Sequence, residues 1–211
     1  MILAFIGIIS SFLQIIIQPP YKNKEINLYM KATGIVRRID DLGRVVIPKE
    51  IRRTMRIREG DPLEIYTDRE GEVIFKKYSP IGELAEFASQ YAETLHKTCN
   101  LSVVICDRDA VIASSGVPRK EYSEKQLSDE LERVINSRSI YVFRDGGEKF
   151  SAIADSTSHY VSCAMPILTE GDIIGCVVSL SDGSRAGDMT AELEAKLIQT
   201  AASFLGRQLE S

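Results

Sequence analysis

The chain has 211 residues, of which 44% are hydrophobic and 27% are charged, and its formal net charge is −4. This composition is typical of a folded globular protein and excludes long disordered regions. Residues 30–78 carry twelve Lys and Arg against nine Asp and Glu, a net charge of +3, whereas residues 79–211 carry twelve against twenty, a net charge of −8. The charge change near Ser79 predicts two domains, with a polyanionic partner for the basic one.

Residues 1–29 begin with a largely apolar run, MILAFIGIISSFLQIII, that ends before Pro19 and Pro20. No Lys or Arg precedes the run and no A-x-A cleavage site follows it, so it lacks the flanks of a signal peptide. Three interpretations compete: a membrane tether, a cleaved leader, or sequence upstream of the true initiator. We favour the third, expect the native protein to begin at Met30, and expect no membrane association.

The basic module, residues 30–78, has the pattern of a very small β-rich domain. Residues 33–39 and 44–47 are predicted strands, joined by the turn Asp40-Asp41-Leu42-Gly43. Pro48 suits the first turn of the short helix predicted at 49–55, and strands at 62–66 and 72–77 flank a hairpin loop at 68–71. Four cations of the helical segment fall on one face at i, i+3, i+4 and i+7: Lys49, Arg52, Arg53 and Arg56. So small a domain buries little core, which favours pairing with a second copy.

The run DDLGRVVIPKEIRR at residues 40–53 resembles the signature of AbrB-type transition-state regulators, and residues 30–211 are similar to the stage V sporulation protein T family. The resemblance implies a dimeric swapped-hairpin β-barrel that binds double-stranded DNA. It also implies that arginines of strand and helix contact the DNA, with two flanking phosphate contacts. The implied arginines are Arg37, Arg44, Arg52 and Arg53, and the flanking residues are Arg38 and Lys31. Neutralising phosphates with such cations releases counterions, so binding should depend steeply on salt.

The acidic module, residues 79–211, alternates helical and strand patterns. Helices are predicted at 81–98, 121–136 and 190–209, and strands at 101–106, 110–114, 139–143, 151–154, 161–168 and 173–180. This order predicts an α+β domain with one antiparallel sheet, and it resembles a GAF domain. The apolar stripe expected on the last helix comprises Leu193, Leu197, Ala201 and Phe204.

A GAF-like fold implies a cup between sheet and helices that holds a small molecule or serves only as scaffold, and the sequence leaves that choice open. Candidate lining residues are Ser114, Ser115, Cys163 and the loop 156–159. The helices at 81–98 and 190–209 carry apolar stripes that could pair between chains, which predicts a homotetramer.

The four cysteines, Cys99, Cys106, Cys163 and Cys176, stand far apart with no CxxC pair, as in a reduced, cytoplasmic protein. His96 and Cys99 lie one helical turn apart, but no second local pair completes a metal site, so neither a metal nor a cofactor is expected. With two histidines, no P-loop and no GxGxxG, the sequence does not indicate an enzyme.

By resemblance, we expect a cytoplasmic transcription regulator of late sporulation genes that both activates and represses. Two other hypotheses remain. One is an antitoxin-type DNA-binding autoregulator, which shares the small barrel but needs a disordered toxin-binding tail. The other is a GAF-related sulfoxide reductase that uses one of the four cysteines.

Overall fold

The computed structural model describes residues 33–123, 125–154, 158–183 and 189–210. The chain forms two compact units that divide between Pro48 and Lys49. The leader at residues 1–29, the candidate DNA contact Lys31 and residues 156 and 157 of the candidate loop lie outside the described residues. Within the described ranges, no helix combines the length and the apolar character needed to cross a membrane.

The described part of the first unit, residues 33–48, is organised by the turn predicted at 40–43. The Asp40 carboxylate accepts hydrogen bonds from the backbone N–H groups of Leu42 (3.0 Å) and Arg44 (2.7 Å). The N–H of Gly43, whose φ is +77°, donates to the Asp40 carbonyl at 3.0 Å. Asp and Gly thus act as their turn chemistry predicts.

The strands predicted at 33–39 and 44–47 are wrong for the single chain, since neither segment is a strand in the described structure. A strand exists only where a neighbour completes its hydrogen-bond ladder. The β-branched pattern of these segments is therefore not sufficient for strand formation within one copy.

The second unit starts with helix α1 (Lys49–Thr54) and the hairpin of strands β1 (Leu63–Thr67) and β2 (Val73–Lys77). The strands are antiparallel, with Leu63 opposite Lys77, as predicted. Arg56 does not share the cationic face of α1, contrary to the prediction, because the helix ends at Thr54 and Arg56 has a left-handed φ of 51°.

The remaining elements follow in chain order. They are α2 (Pro80–Glu83), α3 (Ala85–Cys99), β3 (Ser102–Cys106), β4 (Val111–Ser115), α4 (Arg119–Tyr122), α5 (Asp129–Asn136), β5 (Tyr141–Val142), β6 (Tyr160–Thr169), β7 (Asp172–Ser181) and α6 (Ala191–Gln208). Strands β3 to β7 form one antiparallel sheet in the order β4-β3-β7-β6-β5. The predicted α+β fold with an antiparallel sheet is confirmed.

Two apolar cores cover the two faces of this sheet. On one face α3 and α6 pack against residues such as Val103, Ile105 and Val177. On the other face, Tyr122, Leu131 and other residues of α4 and α5 pack against alternate positions of the same strands. Alternation along β3 sends Val103 and Val104 to opposite cores, as the period of a strand requires. Gly206 lets α6 approach β6 closely, since a Cβ there would lie 2.4 Å from the Leu168 carbonyl oxygen.

Three predicted elements of this domain differ from the structure. The helix expected at 81–98 breaks at Leu84, between α2 and α3. The helix expected at 121–136 is two helices, because Ser128 begins a new one by accepting the Leu131 N–H at 3.1 Å. The strand expected at 151–154 is reduced to an isolated bridge between Leu127 and Ile153.

Six charged side chains connect the β1–β2 hairpin and the loop before it to the β3–β4 turn and α5. This charge cluster consists of Arg58, Asp61, Lys77, Arg108, Asp109 and Glu132. Arg58 contacts Asp109 (Nη1–Oδ1, 3.0 Å) and Glu132 (Nη2–Oε2, 2.9 Å). Burial alone would lower the pKa of the Arg58 guanidinium, but these two carboxylates raise it above its ordinary value.

Asp61 is the most buried member of the cluster, with 3% of its side chain exposed. Its carboxylate lies 2.9 Å from Arg108 Nη1 and 3.4 Å from Lys77 Nζ, and it accepts the Arg58 backbone N–H at 2.8 Å. Lys77 also bonds to Asp109. Removing the charge of Asp61 would leave two partly buried cations without one of their carboxylates.

We expect Asp61→Asn to lower the free energy of unfolding by about 1–3 kcal/mol, since it breaks a partly buried pair on one side only. The matched control is Glu93→Gln, which removes an exposed helical pair with Lys97 and should cost about 0.5 kcal/mol or less. Urea unfolding followed by circular dichroism measures both. Equal effects of the two substitutions would contradict the structural role of the cluster.

Candidate nucleic-acid interface and ligand cavities

Arg37, Arg38 and Arg44 are exposed residues of the first unit. Arg44 pairs with Asp40 (Nε–Oδ2, 2.8 Å), and 69% of its side chain remains exposed. Hydrogen bonds from the Arg44 backbone and then its side chain lower the pKa of Asp40. The turn thus holds the Arg44 guanidinium at the surface by a contact that a phosphate could replace or share.

Arg52 and Arg53 are exposed residues of α1. Neither makes an ion pair with any residue that the structure describes, and the same holds for Arg37 and Arg38. Arg56, in contrast, contacts Glu132 at 3.2 Å. The basic residues of this module therefore differ in their partners. Arg37, Arg38, Arg52 and Arg53 have no ion pair with a described residue, and Arg44 pairs only within its own turn. Arg56, Arg58 and Lys77, in contrast, are held by carboxylates of the acidic module.

Large apolar side chains around these cations are exposed in the single chain. Val36 is 89% exposed and Leu42 is 70% exposed, although both are residues that usually lie in cores. Further exposed apolar residues are Ile35, Ile39, Val45 and Val46 in the first unit and Met55, Ile65, Val73 and Phe75 in the second. Each unit thus exposes apolar side chains of a kind that folded proteins usually bury.

The structure does not bring the candidate ligand residues together. Ser114 and Ser115 line a cavity of about 220 Å³ beside α3. Cys163 is fully buried and lines neither this cavity nor the larger one described next. Of the loop 156–159, His159 lines the larger cavity, and Ser158 Oγ donates to Glu121 Oε1 at 2.6 Å.

The larger cavity, of about 300 Å³, lies where α3 ends, α6 begins and strands β3, β4, β6 and β7 have one of their ends. Its polar wall includes Ser162, Ser179 and Glu194, all of them buried. Sequence analysis missed these three residues. A signal was present, since Glu194 heads the stripe of α6 that faces the sheet: Glu194, Ile198, Ala201, Ala202 and Leu205.

The apolar stripe predicted for α6 divides between the two faces of the helix. Leu193 and Phe204 are 47% and 40% exposed, whereas Ala201 is buried in the core beside the sheet. Phe204 contacts the rings of Phe87 (5.8 Å between centroids) and Tyr91 (5.6 Å) on α3. An aromatic and aliphatic surface therefore lies on the outer side of the α3–α6 pair.

The cysteines and histidines of the described chain do not gather into a reactive site. No cluster of three His, Cys, Asp or Glu residues there could hold a metal ion. Burial, and secondarily the charge of Glu194, raises the pKa of Cys163 to about 12, and burial raises the pKa of Cys176 well above its ordinary value. Cys99 is partly exposed, and His96 Nδ1 lies 3.0 Å from the Leu101 carbonyl oxygen.

Two family models match the chain. The model for stage V sporulation protein T, C-terminal, transcription factor, matches residues 83–210, and the model for antidote-toxin recognition MazE, bacterial antitoxin, matches residues 36–82. The chain is also 54% identical over 183 residues to stage V sporulation protein T of Bacillus subtilis, covering 86% of this chain and 99% of that relative. The chain therefore belongs to the stage V sporulation protein T family.

The basic module also has relatives of its own. The chain is 36% identical over 110 residues to the transition state regulatory protein AbrB of Bacillus subtilis, covering 52% of this chain and 98% of AbrB. The solution structure of the N-terminal DNA recognition domain of the same AbrB is 63% identical to this chain. The matched region covers 24% of this chain and 94% of the AbrB domain, with a TM-score of 0.22.

For the acidic module, the structural neighbours include a GAF domain/HD domain protein from Geobacter sulfurreducens. This neighbour is 18% identical to the chain. The matched region covers 64% of this chain and 99% of the neighbour, with a TM-score of 0.43.

The thiol environments predict a single reactive cysteine among the four. We expect Cys99 to react with a thiol reagent in mildly alkaline buffer in the native protein, while Cys106, Cys163 and Cys176 react only after unfolding. All three are buried away from the reagent, and the raised pKa values of Cys163 and Cys176 also suppress the thiolate, which is the reacting form. Timed labelling with mass spectrometry measures this, with Cys99→Ser as the control that removes the fast phase. Rapid labelling of Cys163 in the folded protein would contradict it.

Proposed function

We propose that the chain is a sequence-specific transcription regulator that binds double-stranded DNA through arginines of its basic module and acts in the cytoplasm on late sporulation genes, as activator and repressor. The observation that carries this proposal is the set of exposed arginines in the run DDLGRVVIPKEIRR. Family membership supports it, since the matching family model describes a transcription factor.

The proposed DNA contacts are Arg37, Arg44, Arg52 and Arg53, with Arg38 and Lys31 as flanking phosphate contacts. Arg37, Arg52 and Arg53 are free of carboxylate partners within the described chain, so binding a phosphate breaks no ion pair there. Arginine also offers two parallel donors to a guanine edge, which allows base readout besides phosphate binding.

The proposed domain division is 30–78 for the DNA-binding module and 79–211 for the regulatory and oligomerisation domain. The two family models support a division close to this, since one ends at residue 82 and the other begins at residue 83. Ser114 and Ser115, which line the same cavity, remain proposed ligand contacts, whereas Cys163 is fully buried and lines neither cavity.

A homodimer is proposed through the basic module. Its support is the exposed apolar set around Val36 and Leu42, together with the segments 33–39 and 44–47, which lack a ladder partner within one chain. A second copy could supply both the missing partners and the missing core. The two copies would then present a doubled set of arginines to the DNA.

The alternatives are less well supported. The MazE-type model matches residues 36–82 only, and the rest of the chain folds as an α+β domain, whereas an antitoxin needs a disordered toxin-binding tail. For a GAF-related reductase, the raised pKa values of Cys163 and Cys176 oppose nucleophilic chemistry. We therefore propose a regulator without enzymatic activity.

We expect Arg44→Ala and Arg52→Ala each to abolish specific DNA binding at ~150 mM salt, a physiological ionic strength. Each removes about 1–3 kcal/mol of contact energy per site, and a dimer loses it twice. Neither creates a cavity, so circular dichroism should show an unchanged fold. Gel shifts on a duplex recovered by chromatin immunoprecipitation from sporulating cells measure the affinity.

The control for these variants is Arg133→Ala, which removes an equally exposed arginine of α5 that pairs with Glu130. It should bind the duplex as the unmodified protein does. Normal binding by both Arg44→Ala and Arg52→Ala would contradict the assignment of the interface.

A homotetramer is proposed through α3 and α6, because Leu193 and Phe204 are exposed on α6 and the Phe204 ring lies against Phe87 and Tyr91 of α3. We expect Phe204→Asp to raise the tetramer–dimer dissociation constant at least ~10²-fold, since a charge replaces a buried ring in the assembled state. Gln199→Asp, at an exposed position of the same helix away from Phe204, is the control. Sedimentation velocity measures the species, and persistence of the tetramer in Phe204→Asp would exclude this interface.

A further inference from the structure

The larger cavity contains a buried carboxylate without a cationic partner in the described chain. Glu194 is 7% exposed, and its only bond to a described side chain is from Ser162 Oγ, which donates to Oε1. None of the ion pairs formed by described residues includes it. A buried charge is costly unless it is paired or fully hydrogen-bonded, so Glu194 retains capacity for a cation or for further donors.

A second buried polar group of the same cavity has no partner among the residues that the structure describes. Ser179 is fully buried on β7, and its Oγ makes no hydrogen bond to any of them. Unpaired buried hydroxyls are uncommon in native proteins and each calls for an explanation. Because Ser179 lines the cavity, a bound molecule that donates a hydrogen bond would supply that explanation.

The backbone places these groups by a local irregularity. The β6–β7 register shifts between Val161 and Cys163, so Ser162 sits at a bulge, and its hydroxyl reaches the Glu194 carboxylate on α6. Bulges re-aim side chains and are frequent beside functional sites. Ser162 thereby fixes one carboxylate oxygen and leaves the other oxygen to the cavity.

The charge and shape of the lining select a positively charged occupant. The described lining residues include two carboxylates, Glu194 and Asp182, two histidines, His96 and His159, and no lysine or arginine. Phe143 and Tyr160 form an aromatic wall, with their ring centroids 5.0 Å apart. These rings already hold one ammonium group, since Lys149 Nζ lies 4.2 Å from the Tyr160 centroid. Aromatic faces attract organic cations, and about 300 Å³ is at the lower end of the range for ligand pockets.

We propose that this cavity binds a small organic ammonium compound, with its cationic group against Glu194 and Ser179. An ammonium group carries three donors and no acceptor, so it can bond the free oxygen of the carboxylate and the Ser179 hydroxyl at once. This inference deepens the proposed regulatory role of the C-terminal domain, but the binding step itself does not require that the chain binds DNA.

The test uses the full chain and two probes of nearly equal shape, butylammonium and butan-1-ol. For a ligand of this size, we expect butylammonium to bind with a dissociation constant on the order of 1 mM and butan-1-ol at least ~10-fold more weakly. Saturation-transfer NMR titration measures both, and a gel shift on the same preparation reports DNA binding separately. Equal binding of the two probes, or no saturable binding of either, would overturn the proposal.

Three variants locate the binding. Glu194→Gln should weaken butylammonium at least ~10-fold and leave butan-1-ol unchanged, because only the charged group distinguishes the probes. Glu192→Gln, which removes an exposed carboxylate of the same helix, should leave both unchanged. An equal loss in Glu192→Gln would show that the ammonium binds elsewhere.

Ser179→Ala keeps the test decisive should Glu194→Gln fail to fold. Removing an unpaired buried hydroxyl should not destabilise the protein, yet it removes one acceptor of the ammonium and should weaken binding by several-fold. Unchanged butylammonium affinity in Ser179→Ala would overturn the proposed geometry. If the unmodified protein bound butylammonium but did not bind DNA, the result would contradict the proposed function and would not contradict this site.

Discussion

The charge cluster is the interaction on which the arrangement of the second unit depends. The β1–β2 hairpin has only two strands and exposes Ile65, Val73 and Phe75, so apolar burial alone does not hold it in place. Arg58 and Lys77 instead bond the carboxylates of Asp109 and Glu132. Asp61, which lies in the loop before the hairpin, pairs in turn with Arg108. Because positive and negative charges alternate between the two sides, the contact specifies one orientation of the hairpin. A hydrophobic patch of the same size would not specify an orientation.

The way in which the basic module contacts the acidic domain also explains why this module leaves so much apolar surface uncovered. Arg56, Arg58 and Lys77 bond carboxylates of the acidic domain, whereas the exposed residues around Val36 and Leu42 have no described neighbour to cover them. A protein of this size normally buries such residues. If this apolar surface is covered only when two copies assemble, the same assembly sets the number and spacing of the arginines beside it. DNA recognition and dimerisation would then depend on the same short stretch of chain.

The sequence predicted features governed by local chemistry and failed where distant residues meet. The turn at Asp40 and Gly43 and the hairpin around Gly71 follow from side-chain hydrogen bonds and positive φ, which act within four residues. The left-handed φ of Arg56 has no such signature, so the end of α1 was missed. Ser162 and Glu194 are 32 positions apart and meet only because α6 packs on β6, so their separation in the sequence does not indicate their contact. The buried stripe that Glu194 heads was not noticed, because charged residues are expected to face solvent.

The β3–β4 hairpin joins the two polar regions of the second unit. One end of the hairpin, at Ser102 and Gly116, lines the larger cavity, and the turn at its other end contributes Arg108 and Asp109 to the charge cluster. Gly116 could not be replaced without disturbing this end, because a Cβ there would lie 2.6 Å from His96 Nδ1. The partly exposed pairs of the cluster are each worth about 1 kcal/mol or less, which is no more than a typical coupling free energy of about 1–3 kcal/mol between two sites. A ligand that moved the cavity end of the β3–β4 hairpin would therefore act on ion pairs weak enough to be rearranged. Those ion pairs hold strands β1 and β2, which follow the arginine-bearing helix α1.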